Sequence, residues 1–496
     1  MKNIYITLIL SVCFMFYSCD SFLDNDPPTQ LPEDLAFETL DDCERALNGA
    51  YRSMYNYIVS IPAIYDVASD DILYAKWGDN SYAGVRVFTW ASGTFGDTGS
   101  LWGIHYSLVN KVNNLLAGIQ KFENSGNEDT EKQVKRIKGE ALMFRAFAHF
   151  ELLRTYGYKY NKKSAGSDKG VPIVLESNTK SKPRESVSKS LELILLDLSA
   201  AEANMLAVKD LMQQRSDAVF YFSLDALYAL KTRICLYSED YPNTIATAEK
   251  ITGYEITDNK SNFNAMWEND LPLKEVIYMI GISSTEINAG FSLSETLYIR
   301  DKNTPNESRA NFLPATDLMG LYDKNADIRW EAYFTENFPM FSGTTDNQEP
   351  LTIVTKYFGN FNLPTKDRIN QTKYFRYAEV VLNKIEALYY ENPAQALIEL
   401  NNFRKKRIAG YIDQNYTGAD LLKEIKLERR REFAFEGVRF HDLRRWNEGF
   451  TRQARKYVLQ SEIITVPAND YKWVFPIPQH EMDANSLPAD YQNPGY

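Results

Sequence analysis

Four histidines, His105, His149, His441 and His480, are all that this 496-residue chain offers for imidazole chemistry. None stands in a nucleophile elbow or an H-E-x-x-H zinc motif, and His149, on an apolar helical stretch, reads as a packed core residue. The Asp70-Asp71 pair suggests the two carboxylates of a glycosidase. Adjacent residues point in different directions, however, and no second catalytic acid is marked. The segment "ERRREFAFEGVRFHDLRRW", Glu428 to Trp446, carries six arginines interleaved with Glu428, Glu432, Glu436 and Asp442. Arginine pairs with carboxylate in a planar, bidentate fork, so an internal ion-pair network locking this helix to its neighbours is expected in preference to a ligand site. There is no P-loop, no G-x-G-x-x-G and no EF-hand. Catalysis has no constellation to rest on, and a binding protein is expected.

Aromatic loops supply the better chemistry. Trp77, Asp79, Asn80, Tyr82 and Trp90 crowd one irregular stretch, and Tyr298 with Arg300 marks a second. A pyranose has apolar C–H faces that stack on rings, and its rim of hydroxyls bonds to amides, carboxylates and guanidinium groups. These seven residues form the candidate ligand-binding set, with carbohydrate as the ligand class. Trp102 and Trp446 fall inside helical patterns and read as structural.

The elements that position these loops are helical. From Arg136, apolar residues recur at three- and four-residue steps through Ile137, Ala141, Phe144, Ala148 and Leu152, and Gly157 is a plausible stop. Pro183 to Met205 repeats the pattern, with Ser186 as its N-cap. Two later segments read as helical hairpins, one turning at Tyr241-Pro242 and the other at Asn392-Pro393, where proline suits the first helical turn. Ala226, Ala229, Ala248, Ala378, Ala387 and Ala396 would let neighbouring helices approach closely, as in tetratricopeptide repeats. Between the helices lie Ser69 to Trp102 and about Tyr254 to Asp367, long and aromatic, with strand-like pieces such as "EVIYMIGI". Loops of that length are functional or disordered, and their aromatic content argues against disorder.

The first 18 residues read as an export signal. Lys2 is the only charge before Asp20, and the apolar run Ile4 to Tyr17 is shorter than the ~18–20 residues a spanning helix needs. Ser18-Cys19 resembles a bacterial lipobox, with cleavage before Cys19 and a diacylglycerol on its thiol; an ordinary secretory signal is the alternative. Residues 19–30, with Asp20, Asp24, Asp26 and Pro27-Pro28, then form a lipidated tether. Residues 31–496 form a single domain with a loop-rich insertion at about 254–367. Loss of residues 1–18 removes one lysine and takes the net charge from −11 to −12, which disfavours nucleic acid and bare anionic membrane as partners. Cys43 and Cys235 lie in helical stretches and read as buried thiols, with a disulfide between them as the alternative.

Several motifs together resemble one family. "CDSFLDNDPP", "LWGIHYSLVNKVNNLL", "GEALMFRAFAHFELLRTYG" followed by "KGVPIV", "RESVSKSLELILLDLSAAEANM", "FRYAEVVLNKIEAL" with "ALIELNNFRKKR", the arginine-rich segment and "PIPQHEMDANSLPADYQNPGY" occur in the order found in SusD/RagB-family lipoproteins. The resemblance implies a mainly α fold: an α/α superhelix of four tetratricopeptide-like helix pairs, long ligand-binding loops and minor β structure. It further implies a non-enzymatic, surface-exposed lipoprotein of the outer membrane. Such a protein captures oligosaccharide and acts as lid to a SusC-like TonB-dependent transporter; peptide capture, as the RagB name suggests, is the alternative. No cofactor and no metal ligand is expected from the motifs, and structural calcium stays open. The matching motifs are scaffold motifs, so the family transfers no binding residue to this chain.

Overall fold

Capping decides where the periodic stretches begin. The computed structural model describes residues 36–78, 82–92, 97–177, 181–215, 217–281, 299–300, 308–338, 350–357 and 370–496, the side chains of 56–62, 97, 299–300 and 308–309 excepted. Helix α1 (Leu40–Val67) opens on a capping box in which Thr39 and Asp42 satisfy each other's N–H groups. After α2 (Asp97–Gly118), α3 (Glu128–Tyr156) starts at Asn127, whose side chain accepts the Thr130 N–H at 3.0 Å. Three acids in its first turn complement the positive helix end. Its stripe of Ile137, Ala141, Phe144, Ala148 and Leu152 is buried, and Gly157 ends it in extended conformation. Ser186 caps α4 (Val187–Leu206), accepting the Lys189 N–H at 3.1 Å.

The two expected hairpins form. One is α5 (Leu224–Tyr237) with α6 (Tyr241–Ala248), followed by the short α7 (Lys260–Glu268). In the other, Asn392 ends α8 (Tyr377–Glu391) and caps α9 (Pro393–Arg407), accepting the Gln395 N–H at 3.2 Å. Helices α10 (Gly418–Glu432) and α11 (Arg439–Trp446) follow. Among the described residues α1/α2, α3/α4, α5/α6 and α8/α9 make four packed helix pairs, each packed on the next. The six alanines named above are at most 5 % exposed, so helix contacts use them as expected. The fold is the mainly α superhelix of tetratricopeptide-like pairs that the sequence implied.

Strands are short and join distant segments. Within the described residues they are β1 (Ile72–Tyr74), β2 (Val276–Ile280), β3 (Ile299–Arg300), β4 (Ser308–Arg309), β5 (Phe312–Pro314), β6 (Phe334–Phe338), β7 (Leu351–Val354), β8 (Thr372–Arg376), β9 (Phe450–Thr451) and β10 (Thr465–Val466). They pair antiparallel as β1–β5, β2–β8, β3–β4, β6–β7 and β9–β10. One large apolar core runs through α1–α5, and a second lies among α8, α9 and α10. A small third core, Ala75, Ala310, Leu313 and Ile353, sits beneath the β1–β5 loops. Cys43 and Cys235 are buried free thiols, not a disulfide; burial pushes their pKa values to about 11 and about 12. No helix among the described residues is long and apolar enough to cross a membrane.

Candidate functional site

The third core carries a half-exposed aromatic platform. Strand β1 pairs with β5 in the register Ile72↔Pro314 to Tyr74↔Phe312, and Ala75 then bridges Val458. The Lys76 N–H donates to the Tyr457 carbonyl at 2.8 Å. A tight turn follows, closed by the Gly78 N–H on the Ala75 carbonyl at 2.9 Å. A Cβ at position 78 would meet the Tyr74 ring at 2.3 Å, so the ring packs directly against this glycine and any larger residue would displace it. The turn presents Trp77, whose indole Nε1–H donates to the Ala310 carbonyl at 3.0 Å. Its ring meets Tyr457 with centroids 5.3 Å apart at 49°. Phe338, Leu351 and Val458 pack beside the two rings.

Cations border the platform. The Lys76 and Lys456 ammonium groups lie 5.1 and 5.0 Å from the Tyr457 ring centroid. Half-buried Arg455 donates to the Pro314 carbonyl and, at 2.9 Å, to the Thr352 carbonyl, tying β5 to β7 beneath the rings. Burial lowers its pKa to about 10, so it stays charged at neutral pH. Two half-buried rings ringed by N–H donors can stack on the C–H face of a sugar and bond its rim. Sequence reasoning missed Tyr457 and Lys456; no local pattern in "RKYVLQ" ties them to Trp77.

The other expected ligand residues fare differently. Trp90 is a correction: it is 3 % exposed, and its Nε1–H donates to the Tyr496 hydroxyl at 2.7 Å. Phe88, at φ 54°, turns the chain inward, so the Trp90 ring packs on Phe88 and Phe475 within the main core. Tyr82, at φ 55°, caps a single helical turn and packs partly buried against the same core, away from the third core that holds Trp77. Asp79, Asn80 and Tyr298 lie outside the described residues, as does Cys19; Arg300 is placed only by its backbone, opposite Ser308 in the β3–β4 pair. Trp102 is buried against Tyr106 and Tyr156, and Trp446 donates to Glu386 at 2.8 Å, both structural as expected.

The arginine-rich segment is the internal network its charges predicted. Glu428 accepts from Arg329 and Arg404, each at 2.7 Å, and from Arg431 at 2.6 Å. Glu432 accepts from Arg329, Arg376 and Arg407 at 2.8–3.0 Å. Glu436 binds Arg376 and Lys356, each at 2.6 Å, while Arg429 and Arg445 bind Asp442 at 2.9 and 2.8 Å. Burial opposes ionisation of Glu428, yet its three guanidinium neighbours hold it well below the usual carboxylate range. The network joins α9, α10 and β8, and none of its carboxylates is left to serve as a base.

The dull readings also hold for the remaining constellations. Asp70 takes Arg439 through both oxygens at 2.8 and 2.9 Å, and Asp71 takes Arg430 at 2.7 Å. Both aspartates are buried counter-ions to arginines. His149 is core: its Nε2 accepts the Val174 N–H at 3.0 Å, and burial pushes its pKa to about 3. A cavity of ≈ 50 Å³ lies among Tyr65, Arg154, Arg233, Tyr374, Arg376 and Glu379. Arg233 and Glu379 close on each other there at 2.7 and 2.8 Å.

Comparison with known proteins accounts for the whole arrangement. Residues 21–236 match the family model described as "Starch-binding associating with outer membrane", and residues 342–496 match the model of the SusD family. Two SusD-like proteins of Formosa agariphila are each 24 % identical to the chain. One alignment covers 90 % of this chain and 92 % of the relative, the other all of both. A SusD superfamily protein of Bacteroides thetaiotaomicron shares the fold with a TM-score of 0.77 at 23 % identity, covering 92 % of this chain and 100 % of its own. The surface glycan-binding protein A of Bacteroides fluxus does so with a TM-score of 0.70 at 21 % identity, over 92 % and 100 %. Two family models in order along one chain and relatives aligned over its length make this a SusD-like protein, and the solved structures share its helix-pair fold.

Proposed function

We propose that this protein is a non-enzymatic, glycan-binding lipoprotein of the outer membrane, anchored through Cys19 at the cell surface. It captures oligosaccharide and closes over the mouth of a SusC-like TonB-dependent transporter. The observation that carries this reading is the collinear family match, whose N-terminal part bears the description "Starch-binding associating with outer membrane". The half-exposed Trp77–Tyr457 platform supports it with chemistry suited to a sugar face. Structural relatives named for glycan or laminarin binding point the same way.

Affinity electrophoresis through glycan-containing gels tests the site on the full-length chain. Trp77→Ala and Tyr457→Ala should each abolish retardation, with the helical circular dichroism unchanged. Unchanged retardation in both variants would remove the platform from the function. Calorimetry that registers mixed peptides and no oligosaccharide would replace glycan with peptide as the ligand. Sugar release on incubation with polysaccharide would overturn the non-enzymatic reading. Copurification with a SusC-like barrel tests the lid; a protein that never copurifies is not one.

A further inference from the structure

We propose that Arg455 is the positioning residue of the platform: from beneath the rings, its guanidinium fixes Trp77 and Tyr457 relative to each other for the sugar they stack on. The inference rests on the glycan reading above and adds the residue that shapes its site. The two rings come from distant parts of the chain, and neither is placed by a helix or a long strand. Trp77 stands in the turn after β1, and its Nε1–H is held by the Ala310 carbonyl, just ahead of β5. Tyr457 is third in the turn Arg455 to Val458, which the Val458 N–H closes on the Arg455 carbonyl at 3.2 Å. Its φ of 68° lies in the left-handed region, and with positive φ this turn position ordinarily goes to glycine or asparagine. A tyrosine there carries backbone strain. Such strain persists only where the surroundings fix the residue from several sides.

The exit of the turn is fixed by the chain that follows β1. The Lys76 N–H donates to the Tyr457 carbonyl at 2.8 Å, and Val458 bridges Ala75. On the entry side, where Gln453 and Ala454 are exposed, the Arg455 side chain supplies the grip. One guanidinium nitrogen donates to the Pro314 carbonyl of β5, and the other to the Thr352 carbonyl of β7 at 2.9 Å. Pro314 and Thr352 adjoin Leu313 and Ile353, which belong to the third core that Trp77 packs on. One side chain therefore ties the Tyr457 turn to the strands beneath Trp77. Hydrogen bonds from a charged donor are about twice as strong as neutral ones. The rigid guanidinium fork reaches two strands at once, which a single ammonium does less well. Rings held in place before a ligand arrives lose less freedom on binding, so the brace is read out as affinity.

Fluorine NMR of the full-length chain in detergent, with 5-fluorotryptophan at its seven tryptophans, reads the placement without a ligand. Trp77→Phe assigns the Trp77 signal. Arg455→Ala should shift or broaden that signal and leave those of the other tryptophans where they are. Affinity electrophoresis through starch, laminarin, xylan and pectin gels reads the consequence. On the glycan that retards wild type most, Arg455→Ala should raise Kd about tenfold. The loss should be equal at low and high salt, because no charge on the ligand is involved. Arg455→Lys, which keeps the charge and a donor for one carbonyl, should recover both readouts in part. An unmoved Trp77 signal would overturn the inference whatever the affinity, since a weaker Kd would then mean direct contact with the ligand. A moved signal with Kd within about twofold of wild type, or a loss that salt abolishes, would overturn it as well. Collapse of every tryptophan signal would make Arg455 a residue of the general fold and overturn it too. Wild type that none of the gels retards would overturn the glycan reading, while the Trp77 signal would still decide whether Arg455 places the ring.

Discussion

Removing a carboxylate that several guanidinium groups share costs more than one ion pair. Glu428, with no solvent exposure, takes Arg329, Arg404 and Arg431 at 2.6–2.7 Å. Glu428→Gln keeps the shape but faces two N–H donors toward cations and strips them of a counter-charge. Loss of one partner from a buried pair costs about 3–5 kcal/mol, and the variant should unfold at correspondingly lower urea. The pH dependence fixes the cause. Because the folded pKa of Glu428 is depressed below the ordinary 4.5, its contribution is fully present above about pH 4.5 and is lost as pH falls toward the folded value. The gap between wild type and Glu428→Gln should therefore be constant from neutrality to about pH 5 and close below about pH 4.5. A gap that does not narrow at all between pH 4.5 and pH 3 would mean packing, not charge, holds this site. Trp77 and Trp90 teach a second lesson at this scale. They lie in one loop and are chemically identical, yet one is presented by a glycine-closed turn and the other is folded into the core.

Elements cross closely enough in places to leave no spare room, and the "KGVPIV" motif makes one such crossing. Between α3 and α4, the Gly170 N–H donates to the Glu185 carbonyl at 2.7 Å. Arg184 clasps the Gly170, Tyr156 and Tyr491 carbonyls at 2.8–3.0 Å. A Cβ on Gly170 would stand 2.4 Å from Ser190 Oγ and 3.0–3.1 Å from the Ser186 and Glu185 carbonyls. The hydroxyl can turn aside, but the carbonyls belong to the start of α4 and cannot. Gly170→Ala should therefore destabilise by about 1–3 kcal/mol, read as a lower urea midpoint with native helical content retained; a neutral variant would show that this crossing relaxes freely. Such helix contacts were legible in the sequence because they are local: period 3.6, the Ser186 cap, and proline after Asn392 all act within one turn. The internal charge network was legible from composition within one segment, although its partners Arg329 and Arg376 were not. The candidate platform was only half legible. Trp77 was visible as an exposed-type residue in a loop, whereas Tyr457, Lys456 and Arg455 reach it through β1, β5 and an isolated bridge to Val458, pairings that no local period encodes. Trp90 misled for the same reason, since its partners Phe475 and Tyr496 come from the far end of the chain.

At the scale of the whole molecule, the proposed function needs the protein held at a membrane. No helix among the described residues is long and apolar enough to cross one; the attachments proposed above are a lipid at Cys19 and a partner barrel. Cys19 and the stretch to Pro28 lie outside the described residues, and their role rests on the Ser18-Cys19 junction and the acidic run after it. A diacylglycerol brings two acyl chains, and two chains are what stable anchoring needs, one alone giving only marginal binding. Twelve tether residues, 19–30, reach at most about 40 Å when extended, enough for a lid to swing without leaving its barrel. The two attachments separate cleanly in cells that lack the SusC-like partner. There, wild type should sediment with outer membrane and incorporate labelled palmitate, whereas Cys19→Ser should do neither, its fold unchanged by circular dichroism. A Cys19→Ser protein that still sediments and takes up label would place the anchor at another residue. A wild type that stays in the soluble fraction without the barrel would make the partner, and not the lipid, the thing that holds the protein at the surface.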